Sequence, residues 1–312
     1  MANQLFIAEA NPVKFYWTDR PVDPAKNYFL LGEDWFSKQV PFWYQKMPYF
    51  QKWQKTDTIN LQVKANFDPI IWYIIDCKGS TVKGGDFDLK YTAIIGQPYK
   101  FYEAAIQLAD VPAGSYYIVI SAGIDGARMD WISEPISVKL QHPETFITEY
   151  KHSFNHLDVI YGTGISFYFR CEGNLIQYDP QNNGVVYIDQ YLDAVQLSAY
   201  PFEGWKLSIG HSYGVPDWVI KKINTIFCFN YVTIEGKQFI RPAGTKMEAN
   251  RLDEYPMAGW MMDVRPAQNL NSDFADSAFN NKIAITYNID ANLFGTLNNI
   301  PENNTIQITQ TR

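Results

Sequence analysis

Between residues 55 and 140 the chain is a series of short runs whose apolar positions recur every second residue. That period suits strands and excludes long helices there. Ile59, Leu61, Val63, Ala65 and Phe67 alternate with Thr58, Asn60, Gln62, Lys64 and Asn66, giving one buried and one wet face. Ile70 to Ile75 is a continuous apolar run ended by Lys78-Gly79, which predicts a strand buried on both sides. Tyr102, Ala104, Ile106 and Leu108 alternate again, followed by the turn residues Pro112-Ala-Gly114. Tyr116 to Ile120 and then Ile136, Val138 and Leu140 complete the series, which predicts an antiparallel sandwich.

The segment Leu108-x-x-Val111-Pro112-Ala-Gly114-x-Tyr116 looks like the corner of immunoglobulin-like and fibronectin-like domains. There a tyrosine just past a glycine-containing turn bonds back to upstream backbone. Gly114 and Tyr116 are therefore expected to form a structural corner, and Ser133-Glu-Pro-Ile136-Ser-Val138 resembles the closing strand of such a module. A corner speaks to fold and says nothing of function.

Gln141-His142-Pro143 reads as a boundary. Beyond it, Ile165, Phe167, Phe169 and Cys171 alternate with polar partners until Gly173-Asn174, read as a stop. Trp205, Leu207 and Ile209 form another strand, closed by Gly210. Then the period changes: Val219, Ile223 and Ile226 fall at helical spacing behind Pro216 and Asp217. Proline suits a first helical position and an acid suits the positive end of the helix dipole. Val232-Thr-Ile234, Glu235-Gly236 and Lys237 to Ile240 predict a hairpin, and Tyr255 to Val264 a further strand. From Arg265 to Arg312 there are ten Asn and two strand-like islands, Ile283 to Ile289 and Ile306 to Ile308. Such a segment is either disordered or an arm that adds a strand to a neighbouring subunit.

The expected fold is mainly β: two β-rich domains plus an extended C-terminal arm. The expected divisions are an aromatic-rich extension at 1–54, an immunoglobulin-like sandwich at 55–141, a second β-rich domain with one α-helix near 216–227 at 142–265, and an Asn-rich arm at 266–312.

Composition narrows the function classes. Lys+Arg is 26 and Asp+Glu 33, a formal charge of −7, the wrong sign for gripping phosphate backbones. Cys77, Cys171 and Cys228 form no CxxC pair and no disulfide framework, so reduced thiols are expected. Met1 to Ala10 lacks a basic start and a long apolar stretch, and no run is long enough to span a bilayer, so neither signal peptide nor membrane anchor is expected. Phosphate-loop, dinucleotide, nucleophile-elbow, HExxH and EF-hand patterns are absent. His152 and His156 lie four apart with Asp158 near, but their neighbours read as strand or loop, so no metal is expected. His211, Ser212 and Asp217 are close only in sequence, whereas triad members meet through the fold. Asp86 and Asp88 sit between Gly84-Gly85 and Lys90 and read as a solvated turn, and Cys171 as an inert buried hydrophobe. No catalytic residue, metal site or cofactor is expected.

The most unusual stretch is Phe15 to Trp53, where 13 of 39 residues are aromatic, interrupted by four prolines. Trp17, Trp35, Phe36, Phe42, Trp43, Tyr44, Tyr49 and Trp53 are its interface or glycan-stacking candidates. Three readings stay open: rings that fill the sandwich, rigid aromatic area laid against another subunit, or a platform for pyranose rings beside Gln45, Gln51 and Gln54.

In the second half, Phe146-Ile-Thr-Glu-Tyr150, Asn155-x-x-Asp158-Val-Ile, Gly214-Val-Pro-Asp-Trp218, Val232-Thr-Ile-Glu-Gly-Lys237 and Tyr255-Pro-Met-Ala-Gly-Trp260 together resemble structural components of tailed bacteriophage virions. The likeness is nearest to those of phages and prophages of Bacteroidota hosts and covers residues 140–265. It implies a non-enzymatic tail, baseplate, connector or head-decoration protein, assembled in the host cytoplasm into the virion. Its partners would be further copies of itself in a ring and neighbouring virion proteins, with no direct role for nucleic acid or membrane. The aromatic stretch and the C-terminal arm would lock neighbours together. The alternatives are a carbohydrate-binding or adhesion module that takes a host surface glycan on Trp35, Trp43, Tyr44 and Trp53, and a β-rich hydrolase with dispersed carboxylates.

Overall fold

The computed structural model describes residues 4–17, 49–92, 99–123, 129–156, 158–188, 190–210, 214–251 and 257–267. Backbone proximity divides the chain into two units, residues 1–180 with 203–267, and residues 181–202 with 268–312. The protein is mainly β, with one α-helix among the described residues.

The N-terminal half supplies β1 (Leu5–Ile7), β2 (Phe15–Trp17), β3 (Gln51–Gln54), β4 (Thr58–Ala65), β5 (Ile70–Asp76), β6 (Thr81–Asp86), β7 (Asp88–Thr92), β8 (Lys100–Gln107), β9 (Gly114–Ala122), β10 (Met129–Ser133) and β11 (Ile136–Lys139). One sheet runs β1–β4–β8–β7. The other runs β6–β5–β9, and the far edge of β9 is shared between β10 and β11. β2 extends the β10 end, whereas β3 lies parallel to β11. The division of the closing strand follows from Glu134-Pro135, because proline has no N–H for the ladder. Side-chain and displaced backbone bonds make good the loss: Ile118 N–H donates to Ser133 Oγ at 2.8 Å and Gln51 N–H to Pro135 O at 2.9 Å.

Alternation in β4 buries Ile59, Leu61, Val63 and Ala65 against Ile74, Ile118, Ile120, Ile136 and Val138 of the opposite sheet. Full burial of such aliphatic side chains contributes roughly 1.5–3 kcal/mol each. At the predicted corner, Tyr116 Oη donates to Pro112 O at 2.9 Å, and a Cβ on Gly114 would meet that hydroxyl at 2.9 Å. Three local expectations need correction. Ile71 of β5 is exposed, because the first half of that strand alternates and only Ile74 and Ile75 are buried in succession. Leu140 lies one residue past the end of β11 and is 70% exposed. Asp86 and Asp88 end one strand and begin the next, with buried Phe87 between them. The two carboxylates are solvated as expected, but the chain there changes sheets and makes no turn.

The C-terminal half supplies β12 (Thr145–Lys151), β13 (Phe167–Ile188), β14 (Ala194–Ile209), α1 (Asp217–Ile226), β15 (Tyr231–Ile234), β16 (Lys237–Ile240), β17 (Glu248–Arg251) and β18 (Ala258–Pro266). The order β14–β13–β12–β15–β16–β18 closes into a barrel because β18 also pairs with β14, from Trp205↔Val264 to Ile209↔Trp260. Pro216 caps α1 from extended backbone, one position earlier than expected, and Asp217 occupies the first turn. Val219, Ile220, Ile223 and Ile226 turn inward onto Phe167, Phe169, Leu207 and Ile209. The β15–β16 hairpin turns on Glu235 (φ 49°) and Gly236 (φ 77°), two left-handed residues whose twist matches the flanking strands.

Gly173-Asn174 does not stop β13, which continues to Ile188. Gly173 instead sits at φ 140°, where a Cβ would come within 1.9 Å of Ser208 O, so glycine is required by a close backbone approach.

Within the first unit the two halves share a polar seam. Arg170 of the barrel donates through Nε and Nη2 to both carboxylate oxygens of Asp57 at 2.7 and 2.8 Å, and both side chains are buried. The Gln62 amide is read on both edges by Ile160, accepting from its N–H at 2.7 Å and donating to its carbonyl at 3.0 Å. The N-terminal segment crosses the same seam. Asn11 exchanges hydrogen bonds with Gln62, Tyr150 Oη donates to Ala10 O at 2.6 Å, and Lys222 Nζ to Asn11 O at 2.7 Å.

Candidate functional site: an apolar hairpin and a basic groove

Exposed large apolar side chains concentrate on the ends of β13 and β14 that lie in the second unit. Val185, Val186, Tyr187 and Ile188 are consecutive and each more than half exposed, so both faces of the strand are apolar. Tyr191 and Leu192 follow at 77% and 83% exposure, then Val195 and Leu197. The apolar surface these eight residues present is on the order of 1,000 Å², above the few hundred ordinary for a monomer. From Cys171 to Trp205 the chain holds no Lys or Arg, while Asp189 and Asp193 bracket the tip. An apolar, acidic hairpin is chemically equipped to bind protein.

In the first unit, a cavity of about 530 Å³ opens beside α1. Ile220, Met247 and Trp260 supply its apolar lining, and Lys221, Arg241 and Lys246 its charge, against one acid, Asp217. Arg241 is held in place: Nη1 donates to Asn224 Oδ1 at 2.6 Å, Nε to Thr245 Oγ1 at 3.2 Å, and Nη2 to the Thr245 carbonyl. Lys221 makes only an exposed ion pair with Glu9 at 3.4 Å.

A second cavity of about 550 Å³ lies where the N-terminal segment meets α1. Two half-buried cations in it already face internal groups. Lys222 donates to the Glu9 and Asn11 carbonyls, and desolvation lowers its pKa to about 8. Lys14 lies over the Tyr16 and Trp218 rings at 4.7 and 5.9 Å, and burial lowers its pKa despite Glu134. That cavity is a structural joint.

The sequence candidates fall elsewhere. Tyr49 is buried in the barrel core, donating its hydroxyl to Glu172, and Trp53 is fully buried in the sandwich core. Neither presents a ring to a partner or a sugar, because β3 places Trp53 against Val138 on the inner face of its sheet. Trp17 belongs to β2, in register with Trp131. Trp35, Phe36, Phe42, Trp43 and Tyr44 lie outside the described residues, as do His211, Ser212 and the two islands of the C-terminal arm. His152 contacts the Phe154, Tyr161 and Phe229 rings, and His156 pairs through its backbone with Val159. Among the described residues no three His, Cys, Asp or Glu side chains lie close enough to hold a metal, and no helix is long and apolar enough to cross a membrane. Cys171 is wholly buried, and burial pushes its thiol pKa well up. The hairpin did leave a trace in the sequence: Val185-Val-Tyr-Ile188 and Val195-Gln-Leu197 within a stretch devoid of cations.

No protein-family model, curated protein or solved structure matches the chain.

Proposed function

We propose that this chain is a non-enzymatic structural subunit of a tailed-phage virion, a tail, baseplate or connector component that works by assembling with copies of itself and with neighbouring virion proteins. The observation that carries the reading is the two-faced apolar hairpin, eight large apolar side chains each more than half exposed, where a monomer ordinarily scatters such residues singly. The motif likeness of residues 140–265 to virion components supports the particle class, and a sandwich joined to a barrel by a buried polar seam supplies the rigid body that such assembly needs. Assembly takes place in the host cytoplasm, where three unpaired thiols persist.

Light scattering on the purified chain, with negative-stain microscopy of the same sample, tests this. Rings or stacked oligomers, alone or after addition of the other virion proteins, are the expected result. A chain that stays monomeric and never enters a particle overturns it.

A further inference from the structure

The apolar hairpin and the basic groove have complementary chemistry and sit on one polypeptide. We propose that the hairpin tip, Tyr191 and Leu192 between Asp189 and Asp193, seats in the α1 groove of a second copy of this chain. This deepens the assembly reading and rests on it.

Size comes first. Tyr191 and Leu192 side chains occupy on the order of 300 Å³ at protein packing density, within a groove of about 530 Å³. Both are more than three-quarters exposed, and Leu192 sits at φ 67°, in the left-handed region. The groove offers Ile220, Met247 and Trp260 as apolar floor, the kind of pocket in which an interface anchor is most effective.

Charge then selects the pairing. Lys221, Arg241 and Lys246 face whatever enters the groove, and the two aspartates that flank the tip have the matching sign. Packing two hairpins tip to tip would instead bring together two segments that carry acids and no Lys or Arg, so the isologous arrangement is disfavoured. A tip-in-groove contact is head to tail: each bound copy still carries one free groove or one free tip, and the assembly closes as a ring or grows as a filament. The tip and the groove are both present on every copy, which makes a second copy the occupant rather than an unrelated protein.

The test uses two variants of the full chain, Leu192→Glu to disable the tip and Met247→Glu with Lys246→Glu to disable the groove. Each is checked for folding by circular dichroism. Sedimentation is followed at up to about 0.1 mM, well above a micromolar dissociation constant. Wild type is expected to form oligomers larger than dimers, and each variant alone to lose them by at least tenfold in midpoint concentration. Mixed one to one, the variants retain one good tip and one good groove, so they should form a heterodimer and stop there. A monomeric wild type overturns the inference. If wild type and Leu192→Glu oligomerise alike, or the mixture gives no dimer, the contact is wrong while the assembly reading stands. If wild type is also refused by the particle, both fail.

Discussion

Replacing Asp57 by alanine is the sharpest probe of the seam between the two halves. The change removes both acceptors of the Arg170 guanidinium, at 2.7 and 2.8 Å, and leaves Arg170 with Thr145 Oγ1 at 3.1 Å. Arginine does not discharge in a protein, so the orphaned cation stays charged in a site where its side chain is 8% exposed. Gln54 N–H loses its 2.7 Å acceptor as well. Breaking one side of a buried pair costs about 3–5 kcal/mol. With a urea slope near 3 kcal/mol per M, the midpoint should fall by roughly 1–1.7 M, read by tryptophan fluorescence. The double variant Asp57→Leu/Arg170→Met removes the pair as a unit and should lose less than Asp57→Ala alone. A loss under about 1 kcal/mol for Asp57→Ala, or a double variant whose cost equals the sum of the singles, would refute the argument.

Four further outcomes are expected. Gly173→Ala should destabilise by about 3 kcal/mol or more in thermal melts, since its Cβ meets backbone at 1.9 Å; near-neutral behaviour would contradict the close approach. Tyr116→Phe, which loses only the bond to Pro112 O, should cost about 0.5–1.5 kcal/mol in the same assay. Desolvation lowers the folded pKa of Lys222 to about 8, below the ordinary lysine value of 10.5. Its burial penalty is therefore fully present below pH 8 and is relieved as pH rises toward 10, with a slope of at most about 1.4 kcal/mol per pH unit. Lys222→Met should abolish that rise, measured as stability against pH in urea. A thiol reagent should label Cys77 and Cys228 in the native protein and reach Cys171 only on unfolding; three fast-reacting thiols would contradict its burial.

The elements most legible in the sequence are those with one wet face. β4, β8, α1 and the β15–β16 hairpin each carry a period that only one structure satisfies, and Tyr116 announced its corner through Gly114. Glycine misled where its role was long-range. Gly173 punctuates a pattern just as a turn residue does, but the atom that demands it, Ser208 O, is 35 residues away. Trp53 takes the first of the three readings open for the aromatic stretch, a ring that fills the sandwich. Its local context of Gln51, Lys52 and Gln54 does not select among them, and the parallel pairing with β11 turns its ring inward. The hairpin tip and the groove carry no local signal, because a two-faced apolar strand has no alternation to detect and because Arg241, Met247 and Trp260 reach the α1 groove from separate segments of the chain.

The seam also sets a timetable. Asn11 lies at the centre of contacts to Gln62 and Lys222, the second of which is separated from it by 211 residues. At translation rates of about 5–20 residues per second, the Asn11 carbonyl waits roughly 10 to 40 s for its lysine. The barrel, whose closing strand β18 is made later still, finds its N-terminal packing surface already built by the sandwich. Nascent chains released before β18 emerges would carry a finished sandwich and an open sheet.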